Sequence, residues 1–304
     1  QLLWRQPLLG EDVPPPPTIH EGQILLPTMG GRLYQIDLLT GRLMGKLTFS
    51  QEITSPVPLA DGKMVVAGNE EVVYTLTRPP FTCVGVSYLG QKPGSVTAPL
   101  LSMGPYVAMI ETVSGDESLL RLLDASGEPI TEIASAPIVG QVLDTPVIRG
   151  RDLFVPSTGE RVTAFSISDD TNQPPLTPGP TFQVQDGSDN PVFLMTGPDR
   201  QLWMSSSALS MLQLSSTALA AEQGEVTVGA AAQPLQYQSG VLFNGRRRAY
   251  STAVTLTPLD RDEQTSEWQA QVGASLLAVS PSDSHLICLT EEGAIFRITD
   301  MGWS

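Results

Sequence analysis

The chain has 304 residues, of which 41% are hydrophobic and 16% charged, and it contains 27 glycines and 26 prolines. This length and composition are typical of a globular, turn-rich protein with a large core, and they exclude an intrinsically disordered chain. Lys and Arg number 17 against 32 Asp and Glu, which gives a formal net charge of −15. A chain this acidic repels polyanions, so we expect no binding of nucleic acid.

The predicted elements begin with a strand-like segment at residues 2–8, followed by four prolines at residues 14–17. Consecutive prolines favour a stiff polyproline connector. Because the sequence opens at Gln1 directly on a strand, we interpret the chain as a monomeric domain of a longer protein. No run of about 18 apolar residues is present, so we expect no membrane-spanning segment.

The clearest local pattern is Gly30–Leu43, in which apolar residues alternate up to Asp37 and a second strand begins at Leu43. The Thr40-Gly41 pair between the two runs is typical of a tight turn. The stretch therefore predicts a β-hairpin in which Asp37 and the Thr-Gly pair hold the turn, while Tyr34 packs between neighbouring sheets.

Degenerate copies of this hairpin recur along the chain. Each copy begins with a small or polar residue, then a proline, then apolar residues, and the last copy lacks the proline. The copies are marked by Pro17, Pro56, Pro99, Pro146, Pro191, Pro234 and Ser275. The mean step is about 43 residues, within the range of roughly 40–50 residues for a four-stranded propeller blade. The same phase predicts a strand and a loop over Ser207–Glu222, although the apolar content of that stretch would also suit a helix.

The repeats predict an all-β fold, a seven-bladed β-propeller of four-stranded blades that forms a single domain over residues 1–304. We expect the seventh repeat to stop after three strands, at Asp300. Residues 2–8 then supply the fourth strand by pairing beside Ala294–Ile298, which would close the ring and remove its open edge. Six blades remain the alternative if Ser207–Glu222 is irregular.

The repeat unit resembles that of the pyrroloquinoline-quinone-like β-propellers, which include quinoprotein dehydrogenases and BamB-type outer-membrane assembly lipoproteins. Gly30–Leu43 carries the best match, Leu2–Arg5 matches the fourth strand of the repeat, and Ser266-Glu267-Trp268 matches it more loosely. The resemblance implies a periplasmic or exported protein. It also implies either a scaffold of the BamB kind or an enzyme that uses a quinone and calcium.

The residues that a quinone enzyme needs do not map onto this chain. Such enzymes usually stack adjacent cysteines on the cofactor, whereas Cys83 and Cys288 are 205 positions apart. Each lies inside an apolar run, which predicts two buried thiols and leaves a disulfide open. Two histidines, His20 and His285, are too few for a metal site built on several histidines. We therefore predict no catalytic residues, no cofactor and no metal, with loop carboxylates as the remaining cation candidates at Asp169-Asp170, residues 186–190 and residues 260–263.

One basic cluster interrupts the acidic chain, at Arg246-Arg247-Arg248 after Asn244-Gly245. The pattern predicts the tip of a hairpin, and arginine makes planar, bidentate contacts with carboxylates. These three arginines are therefore the predicted partner-binding residues.

The sequence favours a non-enzymatic scaffold that binds a protein or peptide partner through one face or the channel mouth. An enzyme or small-ligand binder with its site in the channel is the alternative, and a purely structural domain is the third reading. Converging acids in a deep channel would favour the enzyme, and apolar or arginine anchors on a face would favour the scaffold.

Overall fold

The computed structural model describes residues 17–59, 61–77, 81–185, 187–197, 201–215, 218–226, 230–231, 235–238, 241–247, 254–260, 270–272, 276–282, 285–290, 294–299 and 302–303. In these ranges every regular element is a β-strand and no helix occurs. None of these residues therefore belongs to a helix that could cross a membrane. The chain divides into two compact units, Gln1–Val142 with Ser168–Leu176 and Leu143–Ile167 with Thr177–Ser304.

The first unit contains three antiparallel sheets, and in each sheet four consecutive strands pair in chain order. Sheet one consists of Thr18–His20, Gln23–Pro27, Arg32–Asp37 and Leu43–Thr48. Sheet two consists of Val57–Pro58, Met64–Ala67, Val72–Leu76 and Cys83–Tyr88. Sheet three consists of Leu101–Met103, Tyr106–Ser114, Glu117–Asp124 and Thr131–Val139.

Four further sheets follow in chain order. Sheet four consists of Val147–Arg149, Asp152–Ser157, Arg161–Ile167 and Leu176–Gln183. Sheet five consists of Phe193–Thr196, Gln201–Ser205, Ala208–Leu214 and Leu219–Val226. Sheet six consists of Ala230–Ala231, Gln236–Gln238, Val241–Arg247, Val254–Asp260 and Ala270–Val272. Sheet seven consists of Leu276–Ser282, His285–Thr290, Ile295–Thr299 and Gly302–Trp303.

The sheets stack face to face within each unit. All four residues of Met64–Ala67 are buried. Because side chains alternate across a strand, Met64 and Val66 enter a core with sheet one, whereas Val65 and Ala67 enter a second core with sheet three. In the second unit, Phe154 of sheet four packs in the same core as residues of sheet five. Sheets buried on both faces are typical of propeller blades.

The innermost strands of neighbouring sheets also touch. Within each unit the first or second strand of one sheet contacts the first strand of the next, in the pairs Val57–Pro58 with Leu101–Met103, Val147–Arg149 with Phe193–Thr196, and Gln236–Gln238 with Leu276–Ser282. Successive meanders that meet along their first strands are the arrangement that radial blades require. The fold is thus all-β and propeller-like.

The predicted hairpin over Gly30–Leu43 is confirmed. Asp37 Oδ1 accepts hydrogen bonds from the backbone N–H of Leu39 at 3.1 Å and of Thr40 at 2.7 Å, and from the Thr40 hydroxyl at 2.7 Å. These bonds, led by that of the Thr40 hydroxyl, lower the pKa of Asp37. Gly41 adopts a φ of +68°, a left-handed conformation that glycine takes without steric cost.

Two predictions about the strands are wrong, and a third lies outside the described residues. Ser207–Glu222 contains two strands instead of a strand and a loop, because Ser215 and Ala218 close a second hairpin through a 2.8 Å backbone bond. The last repeat does not stop at Asp300, since Gly302–Trp303 pairs with the end of Ile295–Thr299. The predicted closing strand, residues 2–8, lies outside the described residues, as does most of the proline connector, and the single-domain assignment stays a prediction.

The two cysteines differ in environment. Cys288 is fully buried, as predicted, and burial raises the pKa of its thiol to about 11. The prediction for Cys83 is wrong, because this residue is exposed on the outer strand Cys83–Tyr88, whose apolar residues lack a covering layer. Both thiols are free.

Candidate interaction site

A cavity of about 300 Å³ opens in the first unit, between segments that lead into sheets two and three. One wall precedes the strand Val57–Pro58, the opposite wall precedes Leu101–Met103, and the turn after Met64–Ala67 closes one side. The lining residues are Glu52, Ile53, Thr54, Ser55, Gly68, Asn69, Val96, Thr97, Ala98 and Pro99.

Backbone pairing builds the first wall. Ile53 forms a β-bridge with Gly68, the Thr54 N–H donates to Ala67 O at 2.9 Å, and the Asn69 N–H donates to Glu52 O at 2.9 Å. A Cβ at Gly68 would lie 2.7 Å from the side chain of Gln51. Glycine at this position therefore lets the turn close against the wall.

The second wall is part of the loop between sheets two and three, residues 89–100. Asn69 Oδ1 accepts the Gly94 N–H at 2.9 Å, so a lining residue of the turn also fixes this loop. Gln91 is fully buried, and its Nε2 donates to Gly68 O at 3.2 Å and to Val72 O at 2.9 Å. The loop is therefore tied to the second sheet by side-chain amides.

A buried ion pair ties the same loop to the third sheet. Glu111, which is 4% exposed, accepts the Lys92 N–H at 2.9 Å and the Ser95 hydroxyl at 3.1 Å. Arg121 donates to Glu111 Oε2 at 2.6 Å, and it also donates to Leu89 O and to Glu132 Oε2 at 3.0 Å each. Burial raises the pKa of Glu111, but the bond from Lys92 and the charge and hydrogen bond of Arg121 outweigh burial and leave the pKa below its usual value. Residues 89–95 of the loop are thus held by charged groups.

The chemistry of the cavity suits binding. Its apolar surface comes from Ile53, Val96, Ala98 and Pro99, and its neutral polar groups come from threonine, serine and asparagine. Glu52, which is exposed, is the single ionisable group among the lining residues. An apolar group can therefore enter the cavity and make a few hydrogen bonds at its rim.

A second buried carboxylate holds the acidic loop that the sequence marked as a cation candidate. Glu160, in the second unit, is fully buried, and Ser188 donates to its Oε1 at 2.7 Å and Asn190 at 3.0 Å. Ser206 and Ser207 donate to Oε2 at 3.0 and 2.5 Å. Burial raises the pKa of Glu160, and these four bonds together lower it below its usual value. Hydroxyl and amide groups thus satisfy this carboxylate.

Of the other cation candidates, those that the structure describes do not form a site. Asp170 accepts the N–H and side-chain amide of Asn172 at 2.9 Å each, so it closes a local turn. Asp260 ends a strand, whereas Asp186 and residues 261–263 lie outside the described residues. Across the described ranges, no group of three or more His, Cys, Asp or Glu residues could hold a metal ion.

The two predicted partner-binding arginines that the structure describes belong to a strand. Arg246 and Arg247 lie within the strand Val241–Arg247, where they pair with Ala231 and Ala230 on one side and with Thr255 and Val254 on the other. Asn244 and Gly245 pair with Thr257 and Leu256 of the next strand, so the predicted turn there is wrong. Arg248 lies outside the described residues.

Sequence reasoning identified part of the cavity without recognising it. The repeated proline pattern marks Pro56 and Pro99. Pro56 directly follows the first wall, and Pro99 is the last residue of the second wall. It gave no signal for Asn69, Gln91 or Glu111, since each binds residues 10 or more positions away. Such polar ties are visible only when the loops are placed beside each other.

Comparison with known proteins supports the fold alone. The chain is similar to the computationally designed Ika8 protein, with a TM-score of 0.69 and 10% identity over 94% of this chain and 83% of that one. It is similar to BamB from Moraxella catarrhalis, with a TM-score of 0.62 and 13% identity over 91% and 81%. It is similar to Sqt1 from Saccharomyces cerevisiae, with a TM-score of 0.69 and 9% identity over 92% and 79%. No family model matches the sequence, and no curated protein matches it.

Proposed function

We propose that the chain is a non-enzymatic scaffold that binds a protein or peptide partner and receives one of its apolar side chains in the cavity beside residues 89–100. The observation that carries this proposal is the preorganised wall of that cavity. Its loop is held by the buried Glu111–Arg121 pair and by Gln91 before any partner arrives. Binding to a rigid site avoids the entropic cost of ordering a loop.

The size and lining of the cavity support a side chain in preference to a metabolite. Its volume of about 300 Å³ lies at the lower limit of small-molecule pockets, roughly 300–1,000 Å³. Partner residues that dominate interfaces are apolar or aromatic anchors inserted into desolvated pockets. Ile53 and Ala98, which are 4% and 3% exposed, offer such a surface.

The scaffold is proposed to be a seven-bladed ring, closed by residues 2–8, which would pair beside residues 295–297, the part of that strand with which Gly302–Trp303 does not pair. The repeat step of about 43 residues supports seven blades. Contacts between the first strands of successive sheets agree with radial packing. Deleting residues 1–7 should lower the melting temperature or cause oligomers, because it reopens a sheet edge. An unchanged melting temperature and monomeric elution would contradict closure by this segment.

The cavity proposal can be tested with peptides. We would select binders from a displayed peptide library and measure their affinity for the parent chain, for Thr97→Phe and for Thr131→Phe. Thr97 is an exposed lining residue, and Thr131 is an exposed residue of sheet three that does not line the cavity. We expect selected peptides to carry an apolar anchor and to lose at least about tenfold in affinity for Thr97→Phe alone, near 1.4 kcal/mol.

Nuclear magnetic resonance gives an independent readout. A bound peptide should shift the methyl signals of Ile53 and Val96 more than those of buried residues in the second unit. Equal affinity for both phenylalanine variants, or methyl shifts confined to other regions, would overturn the proposal. The arginines at 246–248 remain a separate proposed docking point, and replacing all three by alanine should then weaken binding without a change of more than about 0.5 kcal/mol in stability.

A further inference from the structure

The outer strand of sheet two, Cys83–Tyr88, is an edge strand with an exposed apolar row. It ends the strand order of its sheet, so in the described part of the chain no strand pairs with its outer side. Val84, Val86 and Tyr88 are 41%, 56% and 70% exposed. Alternation along the strand places Val86 and Tyr88 on one face of the sheet, and Gly85 and Ser87 on the other.

The backbone of this strand is available for pairing. The Leu89 N–H donates to Glu71 O, as in a hydrogen-bonded pair of the antiparallel ladder, whereas the Glu71 N–H donates to Gln91 O. Hydrogen-bonded pairs alternate with non-hydrogen-bonded pairs along an antiparallel ladder. The next pairs in the register, Tyr88 with Val72 and Val86 with Tyr74, are therefore non-hydrogen-bonded. The N–H and C=O groups of Val86 and Tyr88 therefore point away from the sheet, toward the free edge.

The other outer strands contain residues that discourage pairing with another strand. Charges and prolines on an edge strand prevent another chain from adding to it. Such residues occur in the outer strand of every other sheet whose outer strand has four or more described residues: Lys46, Glu132 with Pro137, Pro178 with Pro180, and Glu222 with Glu225. Cys83–Tyr88 contains neither a charge nor a proline.

The charges around this edge are acidic. A Cβ at Gly85 would lie 3.7 Å from the carboxylate carbon of Glu128, on the Gly85 face of the sheet. Lys63 bridges Glu128 and Asp61 at 3.0 and 3.6 Å, so two carboxylates share one ammonium group. Glu71 lies at the Tyr88 end of the strand, and the whole chain has a net charge of −15.

We propose that Cys83–Tyr88 binds an extended peptide segment of a partner, which adds as a further strand and alternates apolar with basic residues. Its apolar side chains lie beside Val86 and Tyr88, and its basic side chains lie on the Gly85 face near Glu128. Main-chain bonds supply affinity in such strand addition, and alternate side chains supply specificity. A second copy of this chain is disfavoured as occupant, since it carries the same negative charge.

The surface is separate from the cavity, so the two proposals fail independently. The probe is a nine-residue, fluorescently labelled peptide in which lysine and valine alternate, measured by anisotropy against the full chain. Val86→Lys places a positive charge on the edge, which repels the lysines of the peptide. Val139→Lys is the matched control, because Val139 is 61% exposed and ends the outer strand of sheet three. We expect Val86→Lys to weaken binding about tenfold or more, and Val139→Lys to bind within about twofold of the parent.

Two further peptides separate strand pairing from charge attraction. A peptide of the same sequence that is N-methylated at alternate residues cannot donate to the edge, and a glutamate–valine peptide reverses the charge. We expect neither to bind measurably. The proposal would be overturned if the N-methylated peptide bound as tightly as the parent peptide, or if the two lysine variants lost affinity equally. Dimers of the parent chain that Val86→Lys abolishes would also overturn it, because a second copy would then be the occupant.

Discussion

The Arg121→Ala substitution offers the sharpest test of how the loop at residues 89–100 is held. It removes the guanidinium that donates to Glu111 at 2.6 Å and to Leu89 O at 3.0 Å. Truncating one partner of a buried ion pair costs about 3–5 kcal/mol, because the other charge stays buried without compensation. Glu111 keeps its bonds from Lys92 and Ser95. We therefore expect a loss near the lower limit, about 3 kcal/mol.

The assay is thermal unfolding at pH 7, combined with hydrogen exchange. A loss of about 3 kcal/mol should lower the melting temperature by roughly 6–12 °C for a cooperative unit of 150–250 residues. The Lys92 amide should exchange faster, since its acceptor is no longer held in place. Glu132→Ala is the matched control, because its side chain is 32% exposed and bonds the same guanidinium. A partly exposed pair is worth at most about 1 kcal/mol.

The pH dependence has a definite sign. The pKa of Glu111 is lowered in the folded chain, so its contribution to stability is complete above the unfolded glutamate pKa and disappears as the pH falls through the folded value. The difference between the parent and Arg121→Ala should therefore be largest at pH 7 and shrink below about pH 4.5. A melting temperature within about 2 °C of the parent at pH 7 would refute this account of the loop.

Three shorter predictions concern other parts of the chain. Glu160→Gln should lower the free energy of unfolding by about 2 kcal/mol at neutral pH. The effect should be smaller in acid, because the partners of Glu160 lower its pKa and the ionised carboxylate therefore contributes less to stability as the pH falls. An equal effect at pH 4 and pH 7 would contradict this. Gly68→Ala should cost about 1–2 kcal/mol in chemical unfolding, because the new methyl group displaces the Gln51 side chain from its hydrogen bonds with Tyr74 and Glu70. Gly127→Ala, which meets nothing within 4 Å, should cost less than about 0.5 kcal/mol. A thiol reagent at pH 8 should modify only Cys83 in the folded chain and both cysteines in urea, because Cys288 is buried and its pKa is raised to about 11. Rapid labelling of both cysteines in the folded chain would be inconsistent with the burial of Cys288.

The local elements of the fold were predictable because their causes are local. The bonds of Asp37 to Leu39 and Thr40 join residues two or three positions apart. Apolar runs at a steady step of about 43 residues indicated meandering sheets. The Asn244-Gly245 pair shows the limit of such patterns. It suits a turn by composition, yet both residues pair with Thr257 and Leu256 in the ladder with the next strand.

The candidate site was not predictable, because distant polar groups create it. Glu160 binds Ser206 and Ser207, which lie 46 and 47 positions along the chain. Gln91 reaches back 23 positions to Gly68. A single glutamate or glutamine in a turn carries no sign of its partner, and its burial follows from how neighbouring sheets stack. Loop carboxylates therefore attracted a cation interpretation, although one of these loops is held by serine and asparagine bonds to Glu160.

The strand Met64–Ala67 has a consequence for how the first unit comes apart. Its successive residues belong alternately to the cores shared with sheets one and three. Separating sheet two from either neighbour would leave one set of these side chains in water, and losing sheet two would dissolve both cores at once. Nearest-neighbour coupling of this kind makes repeated elements melt together. The three sheets should therefore exchange their protected amides as one cooperative block, with the slowest exchange in Met64–Ala67.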